Sequence, residues 1–275
     1  MNIAYFGYDF FWPCLSKLIE RGHSIQSVFT FGTDNKYNYN DRVIQLSSTN
    51  NIPVRFDRIR KEDLTQLRQS GCELLVSAAY PFRIPLAEDS IHGINIHPTL
   101  LPFGRGPWPL PHLIIHSPDK AGVTIHKLSE AFDSGDILAQ QGIEITSRET
   151  LESLSARTQI LATNLLASVL DDFEGFWKKS TPQGDGSYWP MPTDAEQTID
   201  WSDSVYAIDR KVRAFGKFDT NAVIGESKFF VYDVSVWQET HNFQPGTLIH
   251  EMNRETVVAA SDGFVCIRFC EPVKE

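Results

Sequence analysis

The chain of 275 residues carries 25 Lys and Arg against 35 Asp and Glu, a formal net charge of −10, with 41% hydrophobic and 12% aromatic residues. The acidic balance argues against a partner gripped mainly through phosphate charge, because such affinity comes from Lys and Arg displacing counterions. The apolar content excludes disorder as the main state, and the length accommodates one large domain or a large and a small one.

In chain order, Asn2 to Gly7 is a short apolar run closed by a glycine, and Pro13 to Arg21 places Leu15, Leu18 and Ile19 at helical spacing. The reading is strand, turn, helix. Ile25 to Phe31 repeats the strand signal, Arg42 to Asn50 is weakly helical, Pro53 to Phe56 is a short strand, Glu62 to Arg68 is helix-prone, and Leu74 to Ala79 is a buried strand. Such alternation predicts a doubly wound, mostly parallel sheet covered on both faces. After Ile91 to His97, five prolines from Pro98 to Pro111 mark a shaped loop. Val123 to Leu128 and Ile137 to Ile145 read as two more strands, and Thr150 to about Phe176 as one long helix.

Ser180 to Thr193, rich in Pro, Gly and Ser, reads as a linker. Beyond it, a helix over Val205 to Phe215 precedes strand signals at Lys228 to Trp237, Gly246 to Ile249, Thr256 to Ala260 and Phe264 to Phe269. The expected organisation is a catalytic domain over 1–180, a linker over 181–193 and a β-barrel-like domain over 194–275. No run of 18 apolar residues and no basic, apolar leader occurs, so neither a membrane span nor a signal peptide is expected, and the protein reads as cytoplasmic. Its four cysteines lack a CxxC pair and read as reduced thiols, Cys266 and Cys270 packing on one side of a strand.

Chemistry concentrates in Ile94-Asn95-Ile96-His97-Pro98-Thr99-Leu100-Leu101-Pro102. On a strand, i and i+2 share a face, so Asn95 and His97 become neighbours while Ile94 and Ile96 enter the core. They sit at the carboxyl end of a strand, where open α/β sheets bind ligands. Downstream, Phe132-Asp133-Ser134-Gly135-Asp136-Ile137 allows a tight turn from which a carboxylate could meet the Asn-His pair across the sheet end. Asp136 reads as a turn or capping carboxylate. His112 and His116 have the i, i+4 spacing of metal ligands, but without a nearby Glu motif or third ligand they read as packing, and no metal is expected.

This combination resembles the folate-dependent formyltransferase family, which carries an N-x-H-P-S-L-L-P segment followed by a D-x-G loop. Phe6-Gly7 resembles its first glycine turn, Tyr80 to Pro85 its folate-lining loop, and Gly122-Val123-Thr124-Ile125-His126 its G-V-T-x-H strand. Ile199 to Ser202 and Val212 to Ala214 resemble the start of the C-terminal domain of methionyl-tRNA formyltransferases and some sugar-nucleotide formyltransferases. Thr99 stands where the family has Ser, and Gly106-Pro107-Trp108-Pro109 replaces a run of small residues.

The resemblance implies a Rossmann-like α/β domain with a small OB-like β-rich domain, and 10-formyltetrahydrofolate as formyl donor. It implies Asn95, His97 and Asp133 as the catalytic group. An acceptor amine attacks the formyl carbon, Asn95 donates to the resulting oxyanion, and His97 either adds a second donor or moves a proton. Asp133, with a water, orients His97 and collects the amine's proton. Phe82, Arg83, Ile84 and Leu128 are the implied donor-binding residues. Arg105 either meets an anionic substrate or anchors its own loop, and Trp108 either walls the acceptor site or fills the gap between loop and helix.

Two features bear on the acceptor. Gly32 to Arg42 holds two acids and two bases, and Asp194 to Glu275 holds 14 acidic and 8 basic residues, a net of −6. Both disfavour a nucleic-acid partner. The leading expectation is a small amine, a nucleotide-linked amino sugar, with Tyr37 and Tyr39 as base-stacking candidates. The alternatives are methionyl-tRNA formylation, hydrolysis of 10-formyltetrahydrofolate, and a non-catalytic folate- or nucleotide-binding module. Oligomeric state is left open.

Overall fold

The computed structural model describes residues 1–35, 38–86, 91–216, 220–252 and 255–272. They fall into two compact units, the first of Met1–Pro109, Asp119–Glu144 and Ser155–Trp189, the second of Leu110–Pro118, Ile145–Leu154 and Pro190–Glu275. The elements are β1 (Asn2–Gly7), α1 (Trp12–Glu20), β2 (Ser24–Phe29), α2 (Asp41–Thr49), β3 (Val54–Arg55), α3 (Lys61–Gln69), β4 (Leu74–Ala78) and β5 (His92–His97). There follow α4 (Leu110–Ile115), β6 (Gly122–Lys127), β7 (Ile137–Gly142), α5 (Leu151–Asp171), α6 (Phe173–Lys178), α7 (Asp194–Gln197) and α8 (Val205–Phe215). The chain then continues through β8 (Asn221–Ile224), β9 (Ser227–Gln238), β10 (Leu248–Met252), β11 (Glu255–Ala259) and β12 (Gly263–Pro272).

The first unit is built on a seven-stranded sheet ordered β3-β2-β1-β4-β5-β6-β7. Strands β1 to β5 pair in parallel, whereas β6 lies antiparallel to β5 and β7 antiparallel to β6. Parallel strands are covered on both faces and therefore read as continuous apolar runs. In β1, Ile3 and Tyr5 enter a core with Phe11, Leu15, Leu18, Leu166 and Val169. Ala4 and Phe6 enter the opposite one with Phe29, Leu64, Leu67, Leu75 and Tyr80.

Local chemistry starts the helices. Pro13 sits in the first turn of α1, where its missing N–H costs nothing. At α2 the Asp9 carboxylate, 33 and 34 residues upstream, accepts from the backbone N–H of Arg42 and of Val43, both at 3.0 Å, and so satisfies two donors that the helix itself leaves open. The long helix expected from Thr150 to Phe176 is broken. Asp172 leaves the helical region at φ −137°, and its side chain accepts from Gly175 N–H at 3.2 Å, so it ends α5 and caps α6.

The second unit holds a five-stranded antiparallel sheet, ordered β10-β11-β12-β9-β8. Val205, Ile208 and Val212 of α8 pack with Val231, Val234, Val265 and Ile267. Ser204 caps α8 by accepting from Ala207 N–H at 3.2 Å. The fold is thus an α/β, mostly parallel sheet followed by a small antiparallel β domain, as the sequence pattern predicts. Strand β8 is an addition to that expectation, its four residues being too few for a periodic signal. Among the described residues no helix is long and apolar enough to cross a membrane.

Candidate active site

The last residue of β5 is His97, and β5 is the strand at which the sheet changes direction. Its parallel neighbour β4 places Ser77 beside Asn95, and its antiparallel neighbour β6 places His126 opposite Asn95 and Thr124 opposite His97. Directly opposed residues on adjacent strands hold their side chains in contact. Asn95 Nδ2 accordingly lies 3.1 Å from His126 Nε2 and donates to Asp133 Oδ1 at 3.3 Å.

Asp133 stands in the turn between β6 and β7 in the left-handed region, at φ +55°, a conformation uncommon for a residue other than glycine. Its carboxylate is 10% exposed. Oδ2 accepts from Gly106 N–H at 3.0 Å, and Oδ1 lies 3.4 Å from His97 Nδ1. The other ring nitrogen of His97, Nε2, lies 2.8 Å from the Gly104 carbonyl. Both nitrogens of this buried ring therefore face acceptors. Nε2–H donates to Gly104, and Nδ1 faces the Asp133 carboxylate.

His126 carries no assigned role in the sequence reading, yet it orients the cluster. Its Nδ1 lies 2.8 Å from the Lys127 carbonyl and so bears the hydrogen, which leaves Nε2 as an acceptor for Asn95. Were the Asn95 carboxamide turned over, its oxygen would face both the Asp133 carboxylate and a bare ring nitrogen. Burial pushes the His126 imidazole from 6.5 down to about 4, the nearby Asp133 carboxylate opposing that shift and His97 adding to it. The unfolded chain binds a proton at this position between pH 6.5 and 4 that the folded chain does not. Stability from this residue is thus fully present above pH 6.5 and is lost as the pH falls toward 4, by roughly 3 kcal/mol at the end of the range. In urea unfolding at pH 7.0 and 4.5, the wild type should lose about 2 kcal/mol more than His126→Gln, whose side chain does not titrate; equal losses would remove His126 as the cause.

The loop from Pro98 to Gly106 is tied down at several points. Buried Thr124 donates to the Thr99 carbonyl at 2.6 Å and accepts from Leu101 N–H at 3.1 Å and from Gln140 Nε2 at 2.8 Å. Thr99 makes, through its hydroxyl, a 2.7 Å bond to the Phe103 carbonyl that a serine would also make. The Leu101–Pro102 bond is cis. Arg105 donates to Gln183 Oε1 at 3.1 and 2.9 Å and to the Gly184 carbonyl at 3.3 Å, so in this structure its guanidinium anchors the loop. Trp108 is half-buried.

Of the expected donor-binding residues, Phe82, Ile84 and Leu128 border the core cluster of Phe6, Tyr80 and Ile91, and Phe82 packs edge-on against Tyr80. Arg83 is exposed, with its guanidinium 5.6 Å from the centroid of Phe132, the residue before Asp133. These contacts bring the loop after β4 to the loop that carries Asp133. Asp136 pairs with Lys127 at 3.2 Å. The rings of His112 and His116 lie 4.8 Å apart, and among the described residues no group of three or more His, Cys, Asp or Glu is placed to hold a metal ion. Tyr39 is 41% exposed, and Lys36 and Tyr37 lie outside the described residues.

The formyl transferase family model matches residues 1–170, and the model of the family's C-terminal domain matches residues 192–274. The chain belongs to the formyl transferase family. It is an enzyme of formyl transfer. It is 30% identical over 260 residues to the methionyl-tRNA formyltransferase of Rickettsia typhi, covering 90% of this chain and 86% of that one. Among solved structures, HypX from Aquifex aeolicus in complex with tetrahydrofolic acid superposes with a TM-score of 0.74 at 20% identity, over all of this chain and 44% of that chain. The N-formyltransferase from Helicobacter canadensis, in complex with folinic acid and dTDP-3-aminofucose, gives 0.71 at 16% identity, over 98% of this chain and 99% of that one. At these identities the two structures are alike in fold.

Proposed function

We propose that this formyltransferase moves the formyl group of 10-formyltetrahydrofolate to the amine of a small acceptor, a nucleotide-linked amino sugar. The observation that carries the chemistry is the contact of three polar side chains, Asn95, His97 and Asp133, at the end of β5. The formyl carbon is attacked by the acceptor nitrogen, and the carbonyl oxygen becomes a tetrahedral oxyanion. Asn95 offers that oxygen the hydrogen now shared with Asp133 at 3.3 Å, the longer of its two contacts. Preorganised donors of this kind are typically worth 10²–10³ in rate. The proton lost by the amine passes through Asp133 and His97, whose Nδ1 faces the carboxylate. Collapse of the intermediate then expels the tetrahydrofolate nitrogen, which takes a proton. Phe82, Ile84 and Leu128 offer apolar walls to the donor's pterin, and Arg83 offers a positive charge beside them.

Charge favours the small acceptor. Net −6 over Asp194 to Glu275 leaves little of the cationic surface on which tRNA affinity depends. A second reading, initiator-tRNA formylation, draws on the 30% identity to the Rickettsia typhi enzyme. The two separate in one assay. With 10-formyltetrahydrofolate as donor, kcat/KM for dTDP-3-aminofucose should exceed that for methionylated initiator tRNA by about 10²-fold or more, a difference of roughly 3 kcal/mol. Preferential turnover of the tRNA overturns the sugar reading. Formate release at a rate that neither acceptor changes selects hydrolysis instead.

A further inference from the structure

We infer that Gln183, in the segment that reads as a linker, is a positioning residue that holds Asp133 in register with the loop bearing Gly104 to Gly106. The inference rests on the role given to Asp133 above. The segment from Thr181 to Trp189, itself part of the first unit, is hydrogen-bonded to β7 and to the loop after β5. Thr181 and Ile137 exchange backbone bonds at 2.8 and 3.0 Å, Arg105 N–H donates to the Ser187 carbonyl at 3.0 Å, and Trp189 N–H donates to the Arg105 carbonyl at 2.7 Å. Ser187 Oγ accepts from Gly104 N–H at 3.0 Å. Within this mostly exposed stretch Gln183 is half-buried.

Its carboxamide reaches two ways. Nε2 donates to the carbonyls of Asp133 and Gly135, at 2.9 and 2.8 Å, and Oε1 accepts two bonds from the Arg105 guanidinium. The residue after Arg105 is Gly106, whose N–H donates to Asp133 Oδ2. A ring of hydrogen bonds therefore closes from Gln183 through Arg105 and Gly106 to Asp133 and back. Asp133 is held at its backbone by Gln183 and at its carboxylate by Gly106, which suits a residue whose backbone lies in the unfavourable left-handed region. Because backbone bonds hold the segment on both sides of residue 183, replacing the side chain opens the ring without releasing the segment.

The two arms differ chemically, and substitutions divide them. Gln183→Met removes both. Gln183→Glu keeps an acceptor for Arg105 but sets a carboxylate against the carbonyls of Asp133 and Gly135. With 10-formyltetrahydrofolate and whichever of dTDP-3-aminofucose and methionylated initiator tRNA is turned over, both variants should show kcat reduced about tenfold and KM for the donor within about twofold. In the Met variant, amide exchange over residues 103–108 should quicken about fivefold while that of β1 is unchanged. Glu should be no better than Met. Wild-type kcat in the Glu variant would overturn the inference, because anchoring Arg105 would then be the whole role. Wild-type kcat or unchanged exchange in the Met variant, with Asp133→Asn inactive, would overturn it as well. An active Asp133→Asn variant would instead remove the site reading on which it rests.

Discussion

Asp133→Asn is expected to lower kcat by about 10³-fold while the folded content and the donor KM stay near wild type. The geometry sets the size. An Asn at 133 keeps the bond to Gly106 N–H only by turning its oxygen toward that amide, which points its NH₂ at Asn95 Nδ2 and His97 Nδ1. Donor then meets donor at Asn95, and His97 no longer faces the carboxylate with which it shares the proposed proton route. The effect is expected on the chemical step because the carboxylate contacts the proposed catalytic side chains of Asn95 and His97. Asn95→Ala should cost about 10²–10³ by loss of the proposed oxyanion donor. The check is steady-state kinetics beside circular dichroism melting. A folded Asp133→Asn enzyme with more than a tenth of wild-type kcat would dismiss the proposed proton route.

The second large effect is expected at Gly106. Its φ of +129° lies where residues with a side chain are strained, and a Cβ built there overlaps the Trp189 carbonyl oxygen. Gly106→Ala must move the loop away from the segment that ends at Trp189, and its N–H leaves Asp133 Oδ2 with it. A displacement of about 1 Å at a reacting group costs on the order of 10² in rate, so kcat should drop by that factor or more. Stability should fall by about 1–3 kcal/mol, the usual cost of one strained residue. Alanine at 106 with wild-type kcat would show that the loop reaches its active position by another route. Gly135 is constrained in the same way, since a Cβ there would overlap the Lys127 carbonyl, and the turn that presents Asp133 depends on it.

Much of the first unit is legible in the residues because parallel strands covered on both faces announce themselves as apolar runs. Strand direction is not. The signals at Val123 to Leu128 and Ile137 to Ile145 mark β6 and β7 but do not say that both run antiparallel to their neighbours, since period-two alternation is the same in either sense. That direction puts His126 opposite Asn95. The tie between Gln183 and Asp133, 50 residues apart, is equally silent in the sequence, because a polar, glycine-rich stretch looks the same whether it is solvated or strapped to a loop. Asp172 shows a further limit. Its neighbours keep helical spacing, and the break shows only in its non-helical φ and its side-chain bond to Gly175.

By itself the sequence determined the class of chemistry, through its resemblance to the family, and the local geometry, through spacing. Asn95 and His97 are two residues apart on a strand, so their sharing of a face follows from the pleat alone, and the Asp133-Ser134-Gly135 turn follows from the residues that tolerate such a backbone. Only the tertiary structure decided which hydrogens these side chains commit. The antiparallel register of β6 supplies a neutral acceptor to Asn95. Gly104 and Asp133 occupy both nitrogens of His97. A hydrogen bond is made between groups that the fold brings within about 3 Å, and that proximity is a property of strand order and register, which local spacing does not encode.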